Sequence, residues 1–340
     1  MLKKEKLLSL ITNRHLELII FPTEQCNFRC TYCYEDFSVG KMKSNTVEAI
    51  KKLILQRIDN LDSLKVSWFG GEPLAAKNIV FDIGEFIKEL QGTHPILKYA
   101  SGMTTNAYQL NEEVLAKLIS LGITNYQISL DGTEENHNKT RVRMDGSGTF
   151  EKIWNNLLSA RNSNHDFTIM LRLHITPDNL DNIYKLVDLI KENFGHDKRF
   201  SIFFKAIENL GGPNSGSFEV LHGQNKTEIL RALYEQHGDV IKINKIDDKG
   251  PYVCYAAATN SFVIRADGRL GKCTVALSDE RNSLGRLLDD GTIEIATEKL
   301  ALWTRGIKSQ NLEDLSCPMH HMAKVTATIK SIPIIIESSR

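Results

Sequence analysis

Cys26, Cys30 and Cys33 stand in the string Cys26-Asn27-Phe28-Arg29-Cys30-Thr31-Tyr32-Cys33, a CxxxCxxC spacing. Three thiolates this close can hold three irons of a four-iron cubane and leave the fourth without a protein ligand. An iron with an open position is a place for chemistry, as in any catalytic metal site. Two rival readings exist. Positions i, i+4 and i+7 share one face of a helix, so the trio could be a buried stripe. Against this, Asn27, Arg29 and Thr31 interrupt any apolar face, and Pro22-Thr23-Glu24-Gln25 reads as a loop after a strand. Structural zinc wants four ligands, usually in two short pairs, and no fourth Cys or His lies close in sequence. The iron–sulfur reading is preferred.

The chain has 340 residues, 41% of them hydrophobic and 25% charged, an ordinary globular composition long enough for a sizeable core. Lys plus Arg is 42 and Asp plus Glu is 42. The balance gives no reason to expect nucleic acid or a membrane surface as partner. The apolar run Leu7-Leu8-Ser9-Leu10-Ile11 is too short for a signal-peptide core and has no cleavage site after it. No segment approaches the ~20 apolar residues of a membrane helix. A soluble, cytoplasmic protein is expected, in which six cysteines are metal ligands sooner than disulfides.

The elements that must position the cysteines follow from periodicity. Apolar β-leaning runs predict strands at 16–21, 64–69, 97–103, 124–130, 167–175 and 200–206. Between them, helical periodicity predicts helices at 45–58, 80–90, 111–121, 150–161 and 180–193. Asn45 and Glu48 could form a capping box, and Gly122 stops a helix. Strand–helix alternation implies right-handed crossovers and a parallel sheet. Six such units predict an α/β fold, a partial (β/α)6 TIM-like barrel with its site at the C-terminal strand ends. The cysteine string follows the first strand and falls on that rim. After Glu208 the pattern breaks into the loop 211–217, and a helix at 226–236 is expected to bridge onward.

Further residues fit an active site on this rim. Gly70-Gly71-Glu72-Pro73 follows the second strand. Paired glycines admit a ligand close to the backbone, and the Glu72 carboxylate with backbone carbonyls could take an ammonium group; the plainer reading is a turn with a capping acid. Taken together, the cysteine string and Gly70–Pro73 resemble the signature of radical S-adenosylmethionine (radical SAM) enzymes. The resemblance implies a 4Fe-4S cluster on Cys26, Cys30 and Cys33, its open iron chelated by the methionine part of SAM. It implies a 5′-deoxyadenosyl radical that removes a hydrogen atom from the substrate. It also implies roles for single residues: Gly70, Gly71 and Glu72 at the SAM amino group, Ser129 at the ribose, Arg141 at the carboxylate and Tyr32 beside the adenine. A guanidinium fork suits a carboxylate, and Arg143 is the rival for that role. This chain has Asn138 where the family usually has Asp, and Ala107 where its Thr105-Asn106 turn usually continues with Gly. The turn around Asn106 reads equally well as an Asx-type cap. His174 is read as a structural histidine.

Cys254, Cys273 and Cys317 are too far apart for local spacing to speak, and three unrelated buried cysteines are the plain alternative. The stretch 262–273 reads as a hairpin with an Asp267-Gly268 turn that puts Cys273 at a strand end. It resembles the hairpin of the SPASM or twitch extensions of radical SAM enzymes, which hold auxiliary clusters. This chain keeps three of the seven or more cysteines of a full SPASM domain. The resemblance therefore implies at most one auxiliary 4Fe-4S cluster, on Cys254, Cys273 and Cys317. Its fourth ligand is left open among substrate, water, Asp314, His320 and His321.

The expected organisation is a radical SAM partial barrel at 1–210, a linker and bridging helix at 211–249 and a small auxiliary-cluster domain at 250–340. SPASM and twitch proteins mostly modify peptides, so the resemblance implies a maturase of a ribosomally made precursor peptide, forming a thioether or carbon–carbon cross-link. A reductant such as flavodoxin or ferredoxin would supply electrons. A peptide epimerase with a cysteine hydrogen-atom donor is the alternative. A non-catalytic iron–sulfur electron-transfer protein is the alternative outside enzymology; Gly70–Pro73 and Arg141 speak against it, since a relay needs no clamp for an amino acid. Sulfatase maturation is disfavoured, because Thr274 stands where those enzymes place an acidic base after the cysteine that corresponds to Cys273. Only 25 residues precede Cys26, so leader recognition is expected to come from elsewhere.

Overall fold

The computed structural model describes residues 2–95, 97–237, 252–323 and 332–334. In chain order the elements are α1 (Lys4–Ile11), β1 (His15–Ile20), α2 (Ser44–Arg57), β2 (Ser63–Trp68), α3 (Lys77–Thr93), β3 (Lys98–Thr105), α4 (Glu112–Ser120) and β4 (Ile123–Leu130). They continue with α5 (Glu134–Thr140), α6 (Phe150–Asn162), β5 (Thr168–Ile175), α7 (Leu180–Phe194), β6 (Phe200–Ala206) and α8 (Gly223–His237). The C-terminal part adds β7 (Ser261–Ile264), β8 (Arg269–Gly271), β9 (Gly285–Leu287), β10 (Ile293–Ile295), α9 (Thr297–Ser309), α10 (Leu312–Ser316) and β11 (Ile332–Ile334). Among the described residues, no helix is long and apolar enough to cross a membrane.

Each of the six expected strands is present, with bounds shifted by a residue or two. The fold is mixed α/β with parallel pairing between successive strands: β1 with β2, β4 with β5, and β5 with β6. Helical crossovers make that pairing possible. Alternation sorts the two faces of each strand. In β5, Ile169, Leu171 and Leu173 are fully buried, while Met170 and Arg172 are partly open. The expected capping box does not form. Lys43 occupies the N-cap of α2, and Asn45 instead donates to the Asp289 carboxylate at 3.0 Å. Asn111 does cap α4, accepting from Val114 N–H at 2.9 Å, and Gly122 beyond it takes φ +80°.

Two compact units interleave along the chain: Met1–Gln25 with Ser38–Ser101 and Ile246–Arg340, and Cys26–Phe37 with Gly102–Lys245. The expected boundaries at 210 and 250 followed sequence order instead. In the first unit, the C-terminal segment returns to the amino end because β7 pairs in parallel with β1, Glu17 against Ser261. The expected hairpin joins β7 to β8, with Gly268 at φ +83° in its turn. Strands β8 to β11 continue antiparallel. Helices α1, α5, α9 and α10 had no counterpart in the strand–helix reading. Residues 238–249 of the expected linker lie outside the described residues.

Glu24, 1% exposed, ties the chain end after β1 to this hairpin, pairing its carboxylate with the Arg265 guanidinium and with Ala266 N–H. Removing one partner of a buried pair strands the other charge, at a cost of about 3–5 kcal/mol. Arg265→Met should lower the unfolding free energy by that order in urea titrations, and adding Glu24→Met should recover most of the loss. A single variant within about 0.5 kcal/mol of the native chain, the level of ordinary surface substitutions, would show that the pair contributes nothing.

Candidate active site

The segment carrying the first three cysteines is an extended loop, so the helical-stripe reading fails. Residues 27–31 lie against 140–144: Arg29 N–H donates to Val142 O at 2.8 Å, Thr31 N–H to Thr140 O at 2.9 Å, and Met144 N–H to Asn27 O at 3.2 Å. Arg29 holds the turn from inside, donating to the carbonyls of Cys26 and Phe28 at 2.8 and 2.7 Å, with its guanidinium over the Phe37 ring. None of the three is in a disulfide, and each is half-buried. Phe28 N–H points at Cys26 Sγ from 3.3 Å, and the Asn106 amide lies 3.8 Å from the same sulfur. Burial pushes the Cys30 thiol up to about 11, with the Arg141 charge opposing it. Among the described residues, no three Cys, His, Asp or Glu side chains are gathered tightly enough for a single metal ion. Three unoxidised thiols in one pinned loop, with N–H donors aimed at sulfur and a guanidinium beside them, are a donor set that fits an iron–sulfur cluster.

Behind the loop lies a buried polar network centred on Asp131, at the carboxyl end of β4. The Asp131 carboxylate accepts from Tyr32 OH at 2.8 Å, from Thr140 Oγ1 at 2.6 Å and from His174 Nδ1 at 3.1 Å. Tyr32 OH in turn accepts from Arg141 Nη1 at 2.9 Å. Burial pushes Asp131 upward, but the His174 hydrogen bond and the surrounding cations win and hold it well below the usual carboxylate range. His174 is held down to about 4 and His137 to about 3, each by burial first, so both are neutral at pH 7. The charge that keeps Asp131 ionised there is Arg141.

This network separates the two arginines. Arg141 is 7% exposed, and its buried Nε has no hydrogen-bond partner. Arg143 is 40% exposed at its side chain and already pairs with Asp145 at 3.1 Å. Arg143 Nε is also buried without a partner, so what singles out Arg141 is its fuller burial and its bond to Tyr32 OH at 2.9 Å. Asn138 serves the fold, since its Oδ1 accepts the N–H groups of Thr149 and Phe150 at 2.8 and 3.0 Å and so caps α6. An amide oxygen does this as well as a carboxylate, so the departure at 138 is benign. Asn106 combines both of its readings. Its Oδ1 accepts Tyr108 N–H in an Asx turn, while its amide reaches Asn27 and Cys26. Ala107 holds φ +61°, a left-handed value that glycine would adopt freely. Ser129 sits in β4 opposite Arg172 of β5.

In the first unit, the Gly70–Pro73 turn is explained by its own chain. Gly70 takes φ +111°, and a Cβ there would strike Thr23 O; one on Gly71 would strike Gln25 O. Gly71 and Glu72 N–H donate to those same carbonyls at 3.2 and 3.0 Å. The glycines thus let the turn close onto the segment leading into Cys26. Glu72, 1% exposed, caps the short helix that follows by accepting Leu74 N–H at 2.9 Å. The capping role is therefore present.

The C-terminal cysteines come together. The charges of Cys273 and Cys317 both act on Cys254, whose thiol burial pushes up to about 11. Asn282 sets Cys273, accepting its N–H at 2.9 Å and donating to its carbonyl at 2.8 Å. Cys254 N–H donates to Leu315 O at 2.9 Å, just before Cys317. Of the suggested fourth ligands, Asp314 is taken by Arg305 at 2.5 Å, whereas His320 and His321 are exposed. Sequence reading gave no role to Asp131, Asn282 or Arg305. An aspartate at a strand end before a glycine was the signal available for the first; the other two had none.

The family model described as the Radical SAM superfamily matches residues 20–190. The chain is 27% identical over 293 residues to the cysteine-type anaerobic sulfatase-maturating enzyme of Clostridium novyi (strain NT), covering 78% of this chain and 75% of that one. It is 25% identical over 302 residues to the GTP 3′,8-cyclase of Campylobacter jejuni subsp. doylei, covering 83% and 87%. Its fold resembles native anSMEcpe with bound AdoMet and the Cp18Cys peptide, at TM-score 0.64 and 22% identity over 84% of this chain and 80% of that one. It also resembles Streptococcus suis SuiB bound to S-adenosylmethionine, at TM-score 0.56 and 18% identity over 94% and 75%.

Two neutral buried histidines have a pH signature. Their folded-state values lie below the ordinary ~6.5, so the unfolded chain binds more protons and stability falls as pH drops below about 6.5. The limiting slope is ~1.4 kcal/mol per pH unit for each histidine. Asp131, depressed instead, adds its loss only below about pH 4. Burial lowers His237 as well, so His174→Gln should remove roughly a third to a half of the decline measured by denaturant titration between pH 6.5 and 5. An unchanged decline would mean that His174 already titrates normally in the folded protein.

Proposed function

Because the chain belongs to the radical SAM superfamily, we propose that it matures a ribosomally made precursor peptide, abstracting a hydrogen atom and closing a thioether or carbon–carbon cross-link. When bound, the 4Fe-4S cluster and SAM supply hydrogen-atom abstraction; everything else falls to the protein. Cys26, Cys30 and Cys33 would hold the cluster. Arg141, oriented by Tyr32 OH, would take the SAM carboxylate as a fork. The Gly70–Glu72 turn would offer acceptors to the SAM amino group, Ser129 would meet the ribose, and Tyr32 would lie beside the adenine.

The observation that carries the peptide reading is that the segments bearing Cys254, Cys273 and Cys317 adjoin, through Tyr255 OH on Thr274 at 3.0 Å and Cys254 N–H on Leu315 O at 2.9 Å. Three thiols brought together from separate segments suit one auxiliary 4Fe-4S cluster, which could accept the electron left after hydrogen removal. That gathering favours cross-linking over epimerisation, since an epimerase needs one cysteine kept free as hydrogen donor. Likeness to a sulfatase-maturating enzyme over most of both chains points to a polypeptide substrate. Sulfatase maturation itself is disfavoured, because Thr274 bonds to Tyr255 OH at 3.0 Å and has no carboxylate. Likeness to GTP 3′,8-cyclases makes a nucleotide the second reading. Flavodoxin or ferredoxin is the proposed reductant.

Anaerobic reconstitution with SAM and dithionite should give 5′-deoxyadenosine, and Cys30→Ala should abolish it. Co-expression with short open reading frames beside the gene, followed by mass spectrometry, should show a peptide lighter by two hydrogens. A one-dalton gain in deuterated water with no change in ordinary water would mean epimerisation. Turnover of GTP with no peptide altered would sink the peptide reading.

A further inference from the structure

Arg172 is a half-buried charge without a visible purpose. β5 lies between β4 and β6, and its register sets Arg172 beside Ser129 on one flank and Phe203 on the other. It shares a strand face with His174, opposite the fully buried Ile169, Leu171 and Leu173. Its Nε is buried with no hydrogen-bond partner, and among the described residues the side chain makes no hydrogen bond or ion pair. Its electrostatic neighbours are Tyr32, Tyr34, Glu208 and Arg141, the surroundings of the cysteine loop.

A guanidinium stays charged at any working pH, and its buried Nε–H is unfavourable until an acceptor meets it. The nearby carboxylates are already committed. Glu208 takes Lys205 at 2.6 Å and Lys226 at 2.5 Å. Asp131 is saturated by Tyr32, Thr140 and His174. With Glu208 holding two lysines and Asp131 three donors, neither carboxylate pairs with Arg172.

We infer that Arg172 binds a carboxylate of the substrate, placing an acidic group of the peptide beside Ser129 and the cysteine loop. The inference rests on the peptide reading above. One unpaired guanidinium answers one negative charge as a two-pronged fork, whereas a nucleoside triphosphate brings several charges that these committed lysines do not answer. The carboxylate would come from an Asp or Glu side chain or from the peptide's C-terminus.

The test uses synthetic mixture libraries of peptides, made with free or amidated C-termini, incubated with the reconstituted protein and SAM. Retained peptides are sequenced by mass spectrometry. The native protein should enrich carboxylate-bearing peptides about tenfold, the scale of one charge-assisted hydrogen bond. Enrichment of Asp or Glu in amidated libraries would identify a side chain; enrichment confined to free-carboxyl libraries would identify the terminus. Arg172→Gln should lose the enrichment, and Arg172→Lys should keep part of it. Peptides retained with no acidic preference, or with the same preference in Arg172→Gln, would overturn the inference and leave the peptide reading standing. Retention of no peptide by protein that binds SAM, or displacement of every peptide by GTP, would overturn both.

Discussion

The organisation around the first cysteine loop depends on one buried negative charge. Asp131 sits at a strand end with its carboxylate out of water, and a desolvated carboxylate survives only with several donors and a cation nearby. Tyr32, Thr140 and His174 are the donors, and Arg141 is the cation. Tyr32 belongs to the cysteine loop itself, one residue before Cys33. The carboxylate therefore couples the placement of the loop to the placement of Arg141. Neutralising Asp131 would release both together.

Most of the architecture was legible because it follows from periodicity and punctuation. The strand at 200–206 and the Asp267-Gly268 hairpin announce themselves by apolar runs and a turn that only a few residues satisfy. The cysteine string is equally local, as the chemistry demands thiolates within a few residues of each other. What could not be read depends on contacts distant in sequence. The pairing of β7 with β1 and the Glu24–Arg265 ion pair join residues more than two hundred positions apart. They decide which segments form one compact unit, and no local pattern encodes them. The capping box at Asn45 failed for a related reason: Asp289, far along the chain, holds that side chain instead.

Several departures from family pattern resolve as physics. Asn138 keeps the acceptor that caps α6 and gives up only a charge. Ala107 accepts a left-handed conformation at modest cost inside a buried turn. The reduced cysteine count at the C-terminal end leaves three thiols, and burial pushes two of them, Cys254 and Cys273, above the ordinary thiol range.

The central claim is that the amino-terminal trio carries a cubane with one iron left for SAM. Electron paramagnetic resonance of the reduced protein, recorded before and after adding SAM, tests it most directly. Direct chelation predicts that SAM shifts the signal of one cluster, and that this signal is missing when Cys30 is replaced. A spectrum that SAM leaves untouched in the iron-loaded native protein would contradict the account.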